Sequence, residues 1–192
     1  MSTPAQAATT NTFITPKARL SFPALVKPNA LSNKYEVNLL LKKDDPKVMA
    51  FIPALRARCQ AVATEKFGAA AKSAKWNPIK DGDQIFAEKP DRPEYAGHWV
   101  ITSRSKDPVP CLGGDRKHLN PEALYAGCYV HAKVSVFGYA AQTGRGVTTG
   151  LEALQFAGDG ERFSGRGPAE AGFDVIEAAP IEAPAANDEA WN

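Results

Sequence analysis

Small apolar side chains alternate with aromatic, basic and polar ones along one stretch of the chain, Tyr129-Val130-His131-Ala132-Lys133-Val134-Ser135-Val136-Phe137. A period of two residues predicts a β-strand with one face in the core and the other toward solvent. The predicted core face carries Val130, Ala132, Val134 and Val136. The opposite face combines rings with a cation, and it carries Tyr129, His131, Lys133, Ser135 and Phe137.

Strand-like segments also occur on both sides of this stretch. We predict further strands at residues 18–25, 35–41, 98–103 and 147–156, with residues 140–146 forming a hairpin between the strand at 129–137 and the strand at 147–156. Pro23 marks an edge or a bulge, because proline cannot donate a hydrogen bond to a neighbouring strand.

One helix is predicted between the second and third of these strands. Asp44-Asp45-Pro46 is a helix start, since an aspartate caps the free N–H groups and proline suits the first turn. Apolar residues then recur at helical spacing up to Gly68, namely Met49, Ile52, Leu55, Cys59, Val62 and Phe67. Pro53 predicts either a kink or a regular helix that begins only there. Residues 69–97 are predicted to be mostly irregular, with turns at 81–83 and 89–93.

About five strands with a single helix favour a small barrel or an α+β sheet over a parallel α/β fold. We predict a mainly β, small barrel of the oligonucleotide-binding (OB) type with one packed α-helix, because its sheet face and loops suit nucleic acid. This domain is assigned to residues 12–173. Residues 1–11 are predicted to be disordered and residues 174–192 to form a disordered, flexible acidic tail, since neither composition can bury a core.

The formal net charge of +2 conceals a separation of charge along the chain. All 23 Lys and Arg residues lie at or before Arg166, and residues 1–168 hold 15 acids, so this part has a net charge of +8. Residues 169–192 have a net charge of −6, carried by Glu170, Asp174, Glu177, Glu182, Asp188 and Glu189. A basic body joined to an acidic tail indicates nucleic acid or another polyanion as the partner.

Aromatic and basic side chains near the predicted strands are candidates for that contact, since rings stack on bases while cations neutralise phosphates. The predicted nucleic-acid-binding residues are Lys17, Arg19, Tyr95, His98, Arg104, Lys106, Tyr129, His131, Lys133 and Phe137. Tyr95 is expected to be presented by a loop, whereas Trp99 is assigned to the core because Ile101 shares its face. The competing interpretation is a solvated strand face with scattered charges.

No motif of a nucleotide-binding, hydrolytic or metalloprotease enzyme occurs in the chain. Cys111, His118 and Cys128 are too few and wrongly spaced for a zinc knuckle. We therefore predict no enzyme, no metal and no cofactor. The odd number of cysteines indicates reduced thiols, and no apolar run is long enough to span a bilayer, so a cytoplasmic location is expected.

The chain resembles a phage family first catalogued as a domain of unknown function. The resemblance runs in order from residue 12 to about 173, through Thr15–Pro23, Lys43–Pro46, Asp81–Asp83, Tyr95–His98, Ser103–Lys106, Tyr125–Val130 and Asp159–Arg162. It implies an OB fold, related to the binding proteins of short-tailed coliphages, and sequence-independent binding of single-stranded DNA in phage replication or recombination. In those proteins an acidic tail ending in an aromatic residue contacts replication partners.

The chain's own tail carries Asp188, Glu189 and Trp191, which are predicted to bind a replication or recombination protein, although it is rich in Ala and Pro and Asn192 follows the tryptophan. We also expect the tail to compete with DNA for the basic groove. A homodimer is compatible with the sequence. The alternative function is a protein-interaction or virion-associated module whose basic face binds an acidic protein. A metal-dependent nuclease and a duplex-reading regulator lack the expected carboxylate cluster and helix-turn-helix pattern.

Overall fold

The computed structural model describes residues 11–73, 78–141 and 144–163. The order of the elements is β1 (Thr12–Ile14), β2 (Ala18–Asn29), β3 (Lys34–Lys42), α1 (Pro46–Phe67), β4 (Ile79–Asp81), α2 (Gly82–Glu88), β5 (His98–Ser105), β6 (Cys111–Leu112), β7 (Tyr129–Ala141) and β8 (Gly144–Gly158). Short 3₁₀ turns lie at Gly68–Ser73, Pro93–Tyr95 and Pro121–Ala123. The prediction of a mainly β domain with one main helix is confirmed.

Five of the strands close into a ring in the order β7–β2–β3–β5–β8 and back to β7. All neighbours in the ring are antiparallel except β5 and β8, which are parallel. Two of the seams are short, since β2 meets β7 and β5 meets β8 over two residue pairs each. The ring is therefore partly open, as OB folds commonly are, and is not a regular barrel.

The three short strands extend this ring at its edges. β1 continues along the edge of β7 beyond β2, and β6 continues along the edge of β8 beyond β5. β4 pairs with β5, on the edge opposite the one that β3 occupies. β4 and β6 were not expected from the sequence, because two- and three-residue strands are too short for a visible alternation.

Helix α1 begins at Pro46, where the side chain of Asp45 accepts a hydrogen bond from the Lys47 N–H. It continues through Pro53, so the alternative of a regular helix that begins at Pro53 is wrong. Met49 is 63% exposed, and Val48 is buried in its place. The predicted stripe is otherwise in place, since Ile52, Leu55, Cys59 and Val62 are buried.

One hydrophobic core joins the inward faces of the ring to α1. In β7 this inward face is the predicted one, consisting of Val130, Ala132, Val134 and Val136. Cys59, Cys111 and Cys128 are all buried and free. Burial raises the pKa of the Cys59 and Cys128 thiols to about 11, so both are protonated and unreactive near neutral pH.

The segment before β5 differs most from the prediction. Residues 79–95, expected to be irregular, contain β4, α2 and a 3₁₀ turn. The predicted turn at Asp81-Gly82-Asp83 is the start of α2, where the Asp81 carboxylate accepts from the Asp83 N–H. None of the described helices combines the length and apolarity that crossing a membrane requires.

Candidate nucleic-acid interface

The fold distributes the predicted nucleic-acid-binding residues over separate parts of the ring. One group lies where β2, β5 and β7 begin and consists of Lys17, Arg19, His98 and Tyr129. A second group lies at the end of β5 and consists of Arg104 and Lys106. A third group follows the outward face of β7 and consists of His131, Lys133 and Phe137. Tyr95 belongs to the 3₁₀ turn that precedes β5, and its side chain is buried there.

In the first group two cations share one aromatic ring. The Lys17 ammonium lies 4.7 Å and the Arg19 guanidinium 5.6 Å from the centre of the Tyr129 ring. The guanidinium also lies 4.1 Å from the Phe163 ring and donates to the Glu161 carbonyl oxygen at 2.6 Å. Arg19 therefore connects the segment after β8 to strand β2. The ammonium of Lys17, which is exposed, faces solvent.

His98 adds no charge to this group at neutral pH. Its ring is partly buried, which lowers the pKa, and the nearby cations Arg19 and Lys42 lower it further. The Nδ1 atom lies 2.7 Å from the Ala96 carbonyl oxygen. A histidine with a pKa below its ordinary value of about 6.5 is neutral at pH 7.

In the second group Arg104 is fixed by a carboxylate. Its Nε donates to Glu36 at 2.7 Å, and Glu36 also accepts from the side chains of Asn29 and Ser32 in the β2–β3 hairpin. The terminal guanidinium nitrogens have no partner in the part of the chain that the structure describes. They remain available to a phosphate, as does the ammonium of the exposed Lys106.

The third group offers less free charge. Lys133 is paired with Glu152 at 3.2 Å, and His131 Nδ1 lies 2.9 Å from the main-chain oxygen of Thr15. Phe137 is 46% exposed, with its ring over Gly150. In the ring, β2 separates β7 from β3 and β8 separates β7 from β5, so this group lies on another side of the molecule from Arg104.

A surface that the sequence did not reveal lies on the outward face of β3 and β5. Asn38 pairs with Thr102 and Leu40 with Val100 across these strands. The segment 79–95 stands beside them, and together they enclose a pocket of about 350 Å³. Its lining consists of Asn38, Lys80, Asp81, Gln84, Ile85, Glu88, Lys89, Arg92, Tyr95, Val100 and Thr102.

Phe22 provides an exposed ring next to this pocket. It lies in an irregularity between β2 and β3 with a φ of 47°, and 50% of its surface is exposed. The guanidinium of Arg92, which lines the pocket, lies 4.6 Å from the centre of the ring. A positive φ in a bulky residue is uncommon and is concentrated at functional sites. The signal in the sequence was Pro23, which marked the bulge but not the direction of the ring.

Tyr95 corrects an expectation, because its ring is not presented to solvent. Only 2% of the residue is exposed, and it packs with Leu40 and Val100 in a small apolar cluster on the outer surface of the ring of strands. Its hydroxyl accepts a hydrogen bond from Asn38 Nδ2 at 3.2 Å. The 3₁₀ turn places the ring here because these two outward apolar residues would otherwise face water.

An ion network at the start of α2 anchors the wall of the pocket. The Lys43 ammonium contacts Asp81 at 2.5 Å and Asp83 at 2.6 Å, and it lies 4.6 Å from the centre of the Trp99 ring. The hydrogen bond from Lys43 holds the pKa of Asp81 below its ordinary value. The pKa of Asp83 is lowered mainly by the hydrogen bond from the Gly97 N–H and next by the hydrogen bond from Lys43. This network fixes the start of α2 against the ends of β3 and β5.

The tail residues Asp188, Glu189 and Trp191 lie outside the described residues. Within the described ranges, no group of three or more His, Cys, Asp or Glu residues is placed to hold a metal ion.

Residues 11–184 match the family model described as Enterobacter phage Enc34, ssDNA-binding protein. The structure resembles that of the single-stranded DNA-binding protein from bacteriophage Enc34 in complex with ssDNA. The TM-score is 0.70 and the sequence identity 25%, covering 84% of this chain and 97% of that chain.

Two further phage proteins are similar to this chain. The fold is also similar to that of gp2.5, a single-stranded DNA binding protein encoded by bacteriophage T7, with a TM-score of 0.56, 15% identity and coverage of 90% of this chain and 98% of that chain. Protein p50 of Acyrthosiphon pisum secondary endosymbiont phage 1 is 29% identical over 175 residues, which is 85% of this chain and 93% of p50.

Proposed function

The chain belongs to the family of the Enterobacter phage Enc34 ssDNA-binding protein, and on that premise we propose that it binds single-stranded DNA without sequence specificity. The observation that carries the proposal is the outward face of β3 and β5. It joins an exposed ring, Phe22, to a pocket whose rim carries the cations Lys80, Lys89 and Arg92. The family is one of binding proteins, and we assign the chain no enzymatic activity.

We propose that the bound DNA strand runs across this face, between the two groups of cations at its opposite ends. Arg104 pairs with Glu36 at one end, and Arg19 pairs with Leu40 toward the other. From residue 36 to residue 40, β3 extends for about 13 Å at its rise of about 3.3 Å per residue. Lys17, Arg19, Arg104 and Lys106 neutralise phosphates in this arrangement, while Phe22 stacks on a base.

We propose that the outward face of β7 makes a second, weaker contact with the DNA. Phe137 supplies a ring, but Lys133 is neutralised by Glu152, so this face attracts phosphates less strongly than the face of β3 and β5. The Tyr129 ring is already covered by Lys17 and Arg19, so its part is to orient these two cations.

We place this activity in the replication or recombination of phage DNA, within the cytoplasm of the host cell. The buried free thiols suit a reducing compartment. The acidic residues and Trp191 of the tail are proposed to contact a replication or recombination protein. Assembly into a homodimer is also proposed, and sedimentation of the purified chain measures it.

The function is tested by fluorescence anisotropy with a labelled dT oligonucleotide and a duplex of the same length. We expect the single strand to bind more tightly and its affinity to fall as salt is raised, since phosphate contacts release counterions. Equal affinity for both forms contradicts the proposal. Binding to neither, with co-purification of an acidic protein, supports the protein-interaction alternative.

A further inference from the structure

The pocket beside β3 and β5 has the size and the lining for a single nucleobase. At about 350 Å³ it is at the small end of ligand sites, so it admits one residue of a strand and not a stack of several. We propose that it takes one base turned out of the bound strand and selects bases that carry carbonyl oxygens, thymine above all. This inference rests on the proposed function and assigns a base preference to the same site.

The hydrogen bonds at the floor of the pocket leave donors available. Thr102 Oγ1 donates to Asn38 Oδ1 at 2.7 Å, and Asn38 Nδ2 donates to the Tyr95 hydroxyl oxygen at 3.2 Å. The amide oxygen and the phenol oxygen are thus both used as acceptors. The second Asn38 N–H and the Tyr95 O–H are donors that remain for a ligand.

This arrangement distinguishes bases by their edges. Thymine presents two carbonyl oxygens, O2 and O4, which accept from such donors. Adenine has no carbonyl oxygen, and on its major-groove edge a single ring-nitrogen acceptor, N7, stands beside an amino group, which is itself a donor and cannot accept from a second one. A floor of unpaired donors therefore favours thymine over adenine.

The remaining lining suits the faces of a base and its flanking phosphates. Ile85 and Val100 supply apolar surface. Lys80, Lys89 and Arg92 supply three cations, against two acids in the lining, Asp81 and Glu88. Because Asp81 is neutralised by Lys43, the charge that a phosphate meets at the rim is positive.

A polar residue next to the floor supports a role other than stability. Ser21 lies opposite Asn38 in the sheet, and its hydroxyl is buried without a hydrogen-bond partner in the described part of the chain. Such groups are rare in folded proteins and call for an explanation. The row Ser21, Asn38 and Thr102 keeps this face polar directly beside the exposed Phe22 ring, as recognition of a base requires.

The test compares dT and dA homopolymers of equal length on the wild type and on Tyr95→Phe. The substitution keeps the buried ring and removes the donor, so we expect the ratio of dT to dA affinity to fall roughly threefold to tenfold. The stacking of dA on itself affects both proteins equally and cancels in this comparison. The control is Phe22→Leu, which we expect to weaken both oligonucleotides alike and to leave the ratio unchanged.

The outcomes separate the base preference from the function as a whole. A wild type that binds neither homopolymer overturns both proposals. A folded Tyr95→Phe variant with the wild-type ratio overturns base selection alone. If that variant melts well below the wild type, Thr102→Val decides instead, because it removes the hydrogen bond that orients the Asn38 amide. A reduced ratio then supports the proposal, and an unchanged ratio overturns it.

Discussion

Phe22 combines two features that folding alone does not favour, a positive φ and a half-exposed aromatic ring. Strained residues of this kind cost on the order of 1–3 kcal/mol and persist where the surrounding structure holds them. Here the guanidinium of Arg92 lies 4.6 Å from the centre of the ring and helps to hold it in place. The position is explained if the ring stacks on a base.

At this residue we predict that Phe22→Leu weakens binding of a dT oligonucleotide by roughly tenfold, which lies within the stacking contribution of about 1–3 kcal/mol per base. The melting temperature is expected to change little, because the ring is outside the main core. Anisotropy titration and thermal unfolding measure the two effects.

The matched substitution on the other face is Phe137→Leu, since Phe137 is 46% exposed and Phe22 is 50% exposed. We expect it to lower the affinity less than Phe22→Leu does. A larger loss at Phe137 than at Phe22 would place the main path of the strand on β7 and contradict our assignment.

At the scale of elements, the pocket depends on how α2 is attached to the ring. Gly82, the first residue of α2, is buried against the main chain. A Cβ at this position would lie 2.1 Å from the Tyr95 carbonyl oxygen and 2.5 Å from that of His98. Neither oxygen belongs to a flexible side chain, so α2 itself must move.

We therefore predict that Gly82→Ala destabilises the protein by about 1–3 kcal/mol, as overpacking commonly does, and that it also weakens binding of single-stranded DNA. The matched control is Gly114→Ala, since a Cβ there has its nearest neighbour at 3.9 Å. Urea unfolding of both variants measures the difference. Equal free energies of unfolding for the two variants would contradict this prediction, because they would show that α2 moves to admit the methyl group without loss of stability.

The ion network of Lys43 makes the same attachment sensitive to pH. Because Lys43 lowers the pKa of Asp81 and contributes to lowering that of Asp83, the folded state favours both charged carboxylates. Their contribution to stability is present above the unfolded value of about 3.9 and is lost as the pH falls through the folded values.

We predict that Lys43→Met lowers stability at pH 7 and flattens the loss of stability as the pH falls below the unfolded value of about 3.9, relative to the wild type. Urea midpoints at pH 7 and at several lower pH values measure both effects. Parallel curves for the two proteins would mean that the carboxylates draw their low pKa from other groups.

At the scale of the whole molecule, the sign of the charge changes along the chain. Residues 1–168 carry a net charge of +8 and residues 169–192 carry −6. An acidic segment joined to a cationic domain can compete with DNA for the cations, and such competition is electrostatic.

We predict that a chain ending at Phe173 binds single-stranded DNA more tightly than the full chain at low salt. The difference should narrow as salt is raised, because the Debye length falls from about 30 Å at 0.01 M to about 8 Å at 0.15 M. Titrations across this range measure it. Replacing the six tail acids by their amides in the full chain is the control, and an unchanged affinity in both proteins would rule out competition.

The sequence established the strands with regular alternation and the helix with a clear start. β7 buries the predicted face, and Asp45 caps α1 as expected. The short elements β4 and α2 were missed because three to seven residues show too little periodicity, and they are held by contacts with distant residues, such as the ion pair between Lys43 and Asp81.

By itself, the amino-acid sequence determined the mainly β class, the inward faces of the long strands and the separation of charge, since these follow from local periodicity and composition. Only the tertiary structure decided which rings are exposed and which cations share a surface. Tyr95 is buried and Phe22 exposed because a 3₁₀ turn and a β-bulge, fixed by contacts between distant segments, determine the direction of each side chain. The neighbours of a strand's outward face depend on the order of strands in the ring, which alternation along one strand does not contain.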